Sequence, residues 1–405
     1  MIQDQEDDNM SSQIQDFLSY QGQTNPSPYL IEIERANGIY LEDIHGRHYM
    51  DMIAGVAVNN IGHSHPKVIA AIKSQVDKHL HVMVYGEFIQ KNQLDFAKNL
   101  ASLLPDSLNA VYTLNSGTEA NEAALKLVKR ITGRTELVAF RGSYHGSTHG
   151  SLSVSGNETK KEAFRPLLPA VRFLGFNSLS DLQQITKETA GVIIETIQGD
   201  AGVRIPSQAF LDALRKRCTE VGALLIFDEI QCGIGRTGKL FAFEHFKVTP
   251  DILTLGKALG GGMPIGALVS SIENLNEFSY NPMLGHITTF GGHPVICAAA
   301  NACLEVMTSE INYEAVERNG QLLEDLVGSN SEIKEVRRIG MMFAFDMESF
   351  ERVEKVVKKC LEKGLISFWF LSHPYSFRLS PPLTISEAEI REAGRIIVEA
   401  IEETF

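Results

Sequence analysis

Between residues 110 and 270 the chain alternates short, almost unbroken apolar runs with longer stretches of helical spacing. The runs cover residues 110–114, 136–140, 171–174, 191–197, 223–227, 252–255 and 265–270. Strands that are apolar throughout are covered on both faces, so these runs predict a buried, mostly parallel sheet. Residues 119–131 and 207–221 place their apolar positions at helical intervals between the runs. Alternation of this kind predicts an α/β fold with helices on both faces of the sheet.

The flanks read differently. Residues 38–51 alternate apolar and polar positions (Ile39, Leu41, Ile44, Tyr49) around His45-Gly46, which predicts a hairpin. Pro66 opens an amphipathic helix to about His81, carrying Val68, Ile69, Ile72, Val76 and Leu80 on one face. Beyond Pro294 the pattern is helical over residues 295–307, then mixes helices with short strands. Residues 1–25 are polar and acidic, which predicts a disordered tip followed by a short arm or helix. The expected division is a large α/β domain over 66–293 and a smaller α+β domain over 294–405, joined by residues 1–65.

Composition narrows the classes. A length of 405 residues exceeds one ordinary hydrophobic core, which again asks for two domains. Hydrophobic content of 44% against 21% charged residues places the chain among folded globular proteins. A net charge of −13 repels phosphate backbones and anionic lipid, so neither nucleic acid nor a membrane surface is an expected partner. Cys218, Cys232, Cys297, Cys303 and Cys360 lack C-x-x-C spacing, which argues for reduced thiols rather than a disulfide framework or zinc ribbon. The first residues lack a cationic segment followed by an apolar one, and no apolar run reaches membrane-spanning length. A cytoplasmic protein is the expectation.

Ligands of open α/β sheets bind beyond the carboxyl ends of the strands. Five unusual clusters follow directly on the expected strands: Asn115-Ser116-Gly117-Thr118-Glu119, Arg141-Gly142-Ser143-Tyr144-His145-Gly146, Gln198-Gly199-Asp200, Asp228-Glu229-Ile230-Gln231 and Gly256-Lys257. One sheet edge would carry all of them. Ser116-Gly117-Thr118-Glu119 opens a helix, where small residues and free N–H groups suit an anion. The plainer reading is a capping box of Ser116 with Glu119, and one hydroxyl serves either purpose. Asp228 ends a buried strand and needs a cation or several donors, and a protonated pyridine nitrogen would serve as well as loop amides. Lys257 precedes Gly260-Gly261-Gly262; desolvated beside a sheet edge, its amine would attack carbonyls, whereas an arbitrary lysine is a solvated surface group.

Three further motifs mislead. Gly233-Ile234-Gly235-Arg236-Thr237-Gly238 fits a dinucleotide fingerprint, but residues 239–247 are aromatic-rich and too short for the required helix. Gly256-Lys257 lacks the remainder of a phosphate-binding loop. Gly62-His63-Ser64-His65 offers two histidines without a third ligand, so no metal is expected.

Taken with Gly62-His63-Ser64-His65-Pro66, residues 116–124, 227–238, 254–266, 288–294 and 378–382, the ordered set resembles the class III pyridoxal-phosphate-dependent aminotransferases of fold type I. The nearest group is the acetylornithine, ornithine and 4-aminobutyrate aminotransferases, and the likeness runs from about Pro28 to Ile385. It implies that Lys257 carries pyridoxal 5'-phosphate as a Schiff base and moves the substrate proton, while Asp228 keeps the pyridine nitrogen protonated. It implies a phosphate site at Ser116, Gly117 and Thr118, a stacking Tyr144, and Gln231 on the phenolic oxygen. Thr289 resembles a residue that completes the phosphate site of a neighbouring subunit, which makes a homodimer part of the catalytic unit. Arg378 would grip a substrate carboxylate. The implied activity is ping-pong transfer of an amino group from an amine or ω-amino acid to a 2-oxo acid, with 2-oxoglutarate the expected acceptor.

Two departures touch the substrate side. Where the group often has Gly-Glu, this chain has Gly199-Asp200, one methylene shorter, so pairing with Arg378 would need a water or a backbone shift. Where the group has Gly-Arg-Thr after the stacking aromatic, the run here is His145-Gly146-Ser147-Thr148, and a cation for a distal acyl or carboxylate group is missing. Rival readings are an aminomutase or racemase on the same scaffold, which would release no 2-oxo acid, and a non-catalytic binding protein, which would take up no cofactor.

Overall fold

The computed structural model describes residues 11–405. Its centre is a seven-stranded sheet in the order Ala110–Leu114, Gly266–Ser270, Ile252–Gly256, Leu224–Asp228, Thr189–Glu195, Glu136–Phe140 and Val171–Leu174. Gly266–Ser270 runs antiparallel to both of its neighbours and the other pairings are parallel. The α/β architecture expected from the pattern is present.

Side-chain alternation explains why the runs are apolar throughout. Leu137, Ala139, Ile193, Ile226 and Leu268 pack on one face with Ala120, Ala124 and Leu127 of the helix Gly117–Thr132. Their chain neighbours Val138, Phe140, Val192, Ile194, Leu225 and Phe227 enter a larger core on the other face, with Phe210 and Leu214 of the helix Gln208–Val221. Each such side chain contributes about 1.5–3 kcal/mol when fully buried.

The hairpin is Tyr40–Asp43 and His48–Asp51. One Asp43 carboxylate oxygen accepts from the N–H groups of His45 and Arg47 at 2.9 Å each, which fixes the turn. These strands join Ile33–Asn37 and the late Leu365–Ile366 in a four-stranded sheet. A third sheet, antiparallel, contains Glu335–Ile339, Met342–Asp346, Ser376–Leu379 and Phe368–Trp369. The helix Pro294–Ser309 packs on Pro66–Val76 and Lys91–Ser102.

One helix is shorter than its pattern. Pro66–Val76 ends five residues before His81, because the Gln75 side chain bonds the His79 carbonyl at 2.9 Å and draws the chain into a turn. At the N-terminal side, Ser12–Tyr20 is helical, while the tip expected at residues 1–10 lies outside the described residues. The glycine-rich segment after Leu224–Asp228 is a run of turns rather than the start of a helix. Its Arg236, fully buried, donates to the carbonyls of Met341 at 3.1 Å and Pro381 at 2.5 Å and to Asn60 Oδ1, pinning three distant segments together. No single helix among the described residues is long and apolar enough to cross a membrane.

Candidate active site

Three neighbouring strands end side by side at the carboxyl edge of the sheet. Their register pairs Glu195 with Asp228 and Asp228 with Thr254, so all three side chains leave the same face. Beyond them lies a cavity of about 240 Å³ lined by Gly117, Thr118, Tyr144, Gln231, Asp228 and Lys257, together with Glu195 and His145. Most residues singled out from the sequence therefore meet in one place.

Asp228, 4% exposed, is held from three directions. Its Oδ2 accepts from Asn121 Nδ2 at 2.8 Å and from His145 Nδ1 at 2.7 Å, and its Oδ1 accepts from the Ile230 N–H at 3.0 Å. Thr254 Oγ1 donates to Asn121 Oδ1 at 2.8 Å and so fixes which way the amide faces. His145 Nε2 is buried without a partner among the described residues. Glu195 accepts from the N–H groups of Tyr144 at 2.8 Å and Gly199 at 2.9 Å. Burial, reinforced by the charge of Asp228, nevertheless pushes its carboxyl up to about 7.

Lys257 follows the strand Ile252–Gly256 with a φ of 45°, a left-handed conformation that costs a side-chain-bearing residue about 1–2 kcal/mol. Its ammonium makes no hydrogen bond or ion pair among the described residues. Burial lowers its pKa, opposed by Asp228 and Glu195 and assisted by Arg378. The amine is thus shifted toward the neutral, nucleophilic form.

The opposite wall is the start of the helix Gly117–Thr132. Ser116 spends its hydroxyl on the cap, accepting from the Glu119 N–H at 3.3 Å, and does not line the cavity. The reciprocal half of the expected capping box goes instead to Asn115, whose N–H donates to Glu119 at 2.8 Å. The N–H groups of Gly117 and Thr118, in the first turn, have no intrahelical acceptor. Thr118 Oγ1 lies 2.6 Å from Ser151 Oγ and 2.9 Å from Thr148 Oγ1, a cluster of hydroxyls beside those amides. Gly146, at a φ of 129°, lets the loop approach; a Cβ there would sit 2.2 Å from Thr118 Oγ1. Gly199 plays the same part for Gln231, since its Cβ would lie 2.2 Å from Gln231 Oε1.

Around Asp200 the structure shows a partner that the sequence did not indicate. Asp200 is hydrogen-bonded not to Arg378 but to Lys160, whose Nζ lies 2.5 Å from Oδ2, and to Ser372, whose hydroxyl donates to the same oxygen at 2.6 Å. Lys160 also supplies a cation beside Tyr144, its Nζ 4.8 Å from the centre of the ring, where the sequence pattern had none. Arg378 stands on the strand Ser376–Leu379 with its guanidinium over Phe368 at 5.5 Å and Phe370 at 5.8 Å. Phe368 stacks in turn on Trp369, their ring centres 4.4 Å apart. Thr289 is exposed and outside the cavity.

The metal reading of His63 and His65 also resolves. His63 Nε2 pairs with Asp51 at 2.8 Å, and His65 caps the helix that follows by accepting from the Lys67 N–H. Sequence reasoning passed over Asn121, Glu195, Thr254 and Lys160. Asn121 lies one helical turn beyond Gly117, and Glu195 ends its strand as Asp228 ends the next, so both were open to detection by spacing.

The donor set fits a phosphorylated pyridine aldehyde: an amine of lowered pKa, a buried carboxylate at depth, free amides with hydroxyls for an anion, and a ring to lie against. The chain matches the family model described as Aminotransferase class-III over residues 21–401. It is 38% identical over 377 residues to the acetylornithine aminotransferase of Methanopyrus kandleri, covering 93% of this chain and 95% of that protein. It is 39% identical to the putrescine aminotransferase of Pectobacterium atrosepticum, covering 89% and 79% of the two chains. The ornithine aminotransferase of Toxoplasma gondii superposes with a TM-score of 0.89 at 29% identity, over 96% of this chain and 94% of that one. The chain belongs to the class III aminotransferases, pyridoxal-phosphate-dependent enzymes that transfer an amino group to a 2-oxo acid.

Proposed function

We propose that the protein moves an amino group from an amine or ω-amino acid donor to 2-oxoglutarate by a ping-pong mechanism, with Lys257 and Asp228 as its catalytic residues. The observation that carries this reading is the meeting of Lys257, Asp228, Gln231, Tyr144, Gly117 and Thr118 around one cavity. Relatives and structural neighbours named as acetylornithine, putrescine and ornithine aminotransferases support a donor whose reacting amine is distal.

Pyridoxal phosphate, when bound, supplies the aldehyde that takes up the amino group and a ring that accepts the electron pair of the substrate carbon. Lys257 would hold it covalently and, once displaced by the substrate amine, move the proton at the amine-bearing carbon. Asp228, braced by Asn121 and His145, would keep a proton on the pyridine nitrogen. Gln231 would donate to the phenolic oxygen, Tyr144 would cover one ring face, and the Gly117 and Thr118 amides would bind phosphate, with Ser116 shaping that turn. Arg378 would take a substrate carboxylate in two parallel hydrogen bonds.

In this reading residues 66–293 form the cofactor domain, while residues 294–405 with the described part of the N-terminal segment, 11–65, form the smaller domain that contributes Arg378. A homodimer is part of the proposal. Phe88, Ile89, Tyr280, Met283 and Leu284 are exposed around one apolar groove of about 670 Å³ that Thr288, the chain neighbour of Thr289, also lines, and a second copy would cover them. All five cysteines are free and buried, which supports a reducing, cytoplasmic setting.

A donor screen on the yellow holoenzyme tests the reading. A distal-amine donor alone should bleach the cofactor band, and adding 2-oxoglutarate should restore it with release of glutamate. If no amine bleaches the band, the transfer reading fails.

A further inference from the structure

Asp200 feels the charge of two cations, Lys160 and Arg378, and is bonded to the first. Lys160 and Ser372 both serve its Oδ2, the Leu371 N–H reaches its Oδ1 at 3.4 Å, and Asn157 Nδ2 holds the Ser372 hydroxyl at 2.9 Å. Burial opposes ionisation of this 6%-exposed carboxyl, yet Lys160, Ser372 and the charge of Arg378 together bring its pKa below the ordinary value. Its charge is therefore met without a bond to Arg378.

Arg378 is left in the opposite condition. Its guanidinium makes no hydrogen bond or ion pair among the described residues, and its Nε is buried with no acceptor. Its neighbours are the faces of Phe368 and Phe370. A buried guanidinium without an acceptor is unfavourable, and an arriving carboxylate relieves it. The charges of Lys160 and Asp200 cancel, so Arg378 presents one net positive charge, matched to one carboxylate.

We propose that Lys160 is a positioning residue for substrate specificity: by engaging Asp200, it keeps Arg378 open to a substrate carboxylate in both halves of the reaction. Remove the Lys160 charge, and Arg378 is left as a cation whose charge already acts on the buried Asp200 carboxylate. The pair would then close the carboxylate site. This rests on the reading of Arg378 as the carboxylate-binding group.

Glutarate, a dicarboxylate that cannot react, isolates binding from turnover and is followed by the cofactor absorbance of the holoenzyme. Lys160→Met should weaken glutarate and raise the KM for 2-oxoglutarate by about tenfold, with kcat little changed, as expected for loss of a charge-assisted hydrogen bond. Lys160→Met combined with Asp200→Asn should recover most of that loss, because the competing carboxylate is gone, and Lys160→Arg should preserve wild-type binding. A double variant as weak as Lys160→Met alone overturns the proposal. Should Lys160→Met not fold, Asp200→Asn decides by itself: it should tighten glutarate about threefold by removing the negative charge beside Arg378, and weaker binding overturns the proposal. A wild-type holoenzyme that binds glutarate yet transfers no amino group would sink the functional reading and leave this inference standing.

Discussion

The floor of the cavity and its outer rim are assembled by different means. At the floor, Glu195, Asp228 and Thr254 are neighbours because three hydrogen-bonded strands hold them in register. The rim lies outside the cavity lining, next to Tyr144: there Lys160, Asp200 and the pair Ser372 and Arg378 come from three separate stretches of chain, and only Arg378 stands on a strand. A ladder leaves little freedom: shifting one strand end would displace its partner across the sheet. Loops can exchange one ion pair for another without disturbing the sheet. The chemistry common to the family therefore suits the floor, and substrate choice suits the rim.

The sharpest way to break this division is at Lys257. Lys257→Ala should lower kcat/KM by about 10⁴-fold, measured in a coupled assay for glutamate. Borohydride should attach the cofactor to the Lys257 peptide of the wild type and to no peptide of the variant, as read by mass spectrometry. Turnover within tenfold of wild type would remove Lys257 from the floor chemistry.

Asp228→Asn should come next, with a loss of about 10²-fold in the rate of the donor half-reaction. His145 and Asn121 remain to hold the amide, so the melting temperature should change far less than the rate. A parallel loss of stability and rate would make Asp228 a structural residue.

Arg378→Ala tests the rim. The KM for 2-oxoglutarate should rise about 10- to 100-fold, the scale of charge-assisted hydrogen bonds, with a smaller change in kcat. A fall in kcat at constant KM would move Arg378 to the floor and erase the contrast.

The smallest effect concerns a group behind the floor. Glu229 is fully buried, accepting from Thr196 Oγ1 at 2.9 Å and from the N–H groups of Ala242 and Phe243 at 2.6 Å each. Burial, only partly offset by these donors, pushes its carboxyl up to about 7 from an ordinary 4.5. Folded chains then hold more protons than unfolded ones between those values. The stability contribution is complete below pH 4.5 and is lost as pH rises through 7. Relative to Glu229→Gln, the wild type should lose melting temperature between pH 5 and 8; a gap that does not change with pH contradicts this.

The same contrast explains what the sequence made legible. The strand Glu136–Phe140 falls where its apolar run predicts because both of its faces are buried. The edge strands Ala110–Leu114 and Val171–Leu174 match their runs although they are only partly buried, with Arg172 exposed. Thr189–Glu195 is shifted two residues toward the N-terminus of its run, from Thr189, which pairs with Glu136, to Glu195, which pairs with Asp228. Asp228 ends its strand and Lys257 directly follows one, so chain position alone exposed both. Lys160 carried no such signal. It lies in a polar stretch where one lysine looks like its neighbour Lys161, and only folding brings its ammonium over Tyr144. The sequence showed that Asp200 is short for a direct bond to Arg378, but not that Lys160 would take it, because ion-pair choice depends on which cation the loops deliver.

One ring stack gives the molecule an optical reporter. The chain has a single tryptophan, and Trp369 lies flat on Phe368, the ring beneath the Arg378 guanidinium. Indole emission responds to nearby charge and solvent. Arrival of an anion at Arg378 should therefore change the intrinsic fluorescence of the protein, without a label and without competing emission from another tryptophan.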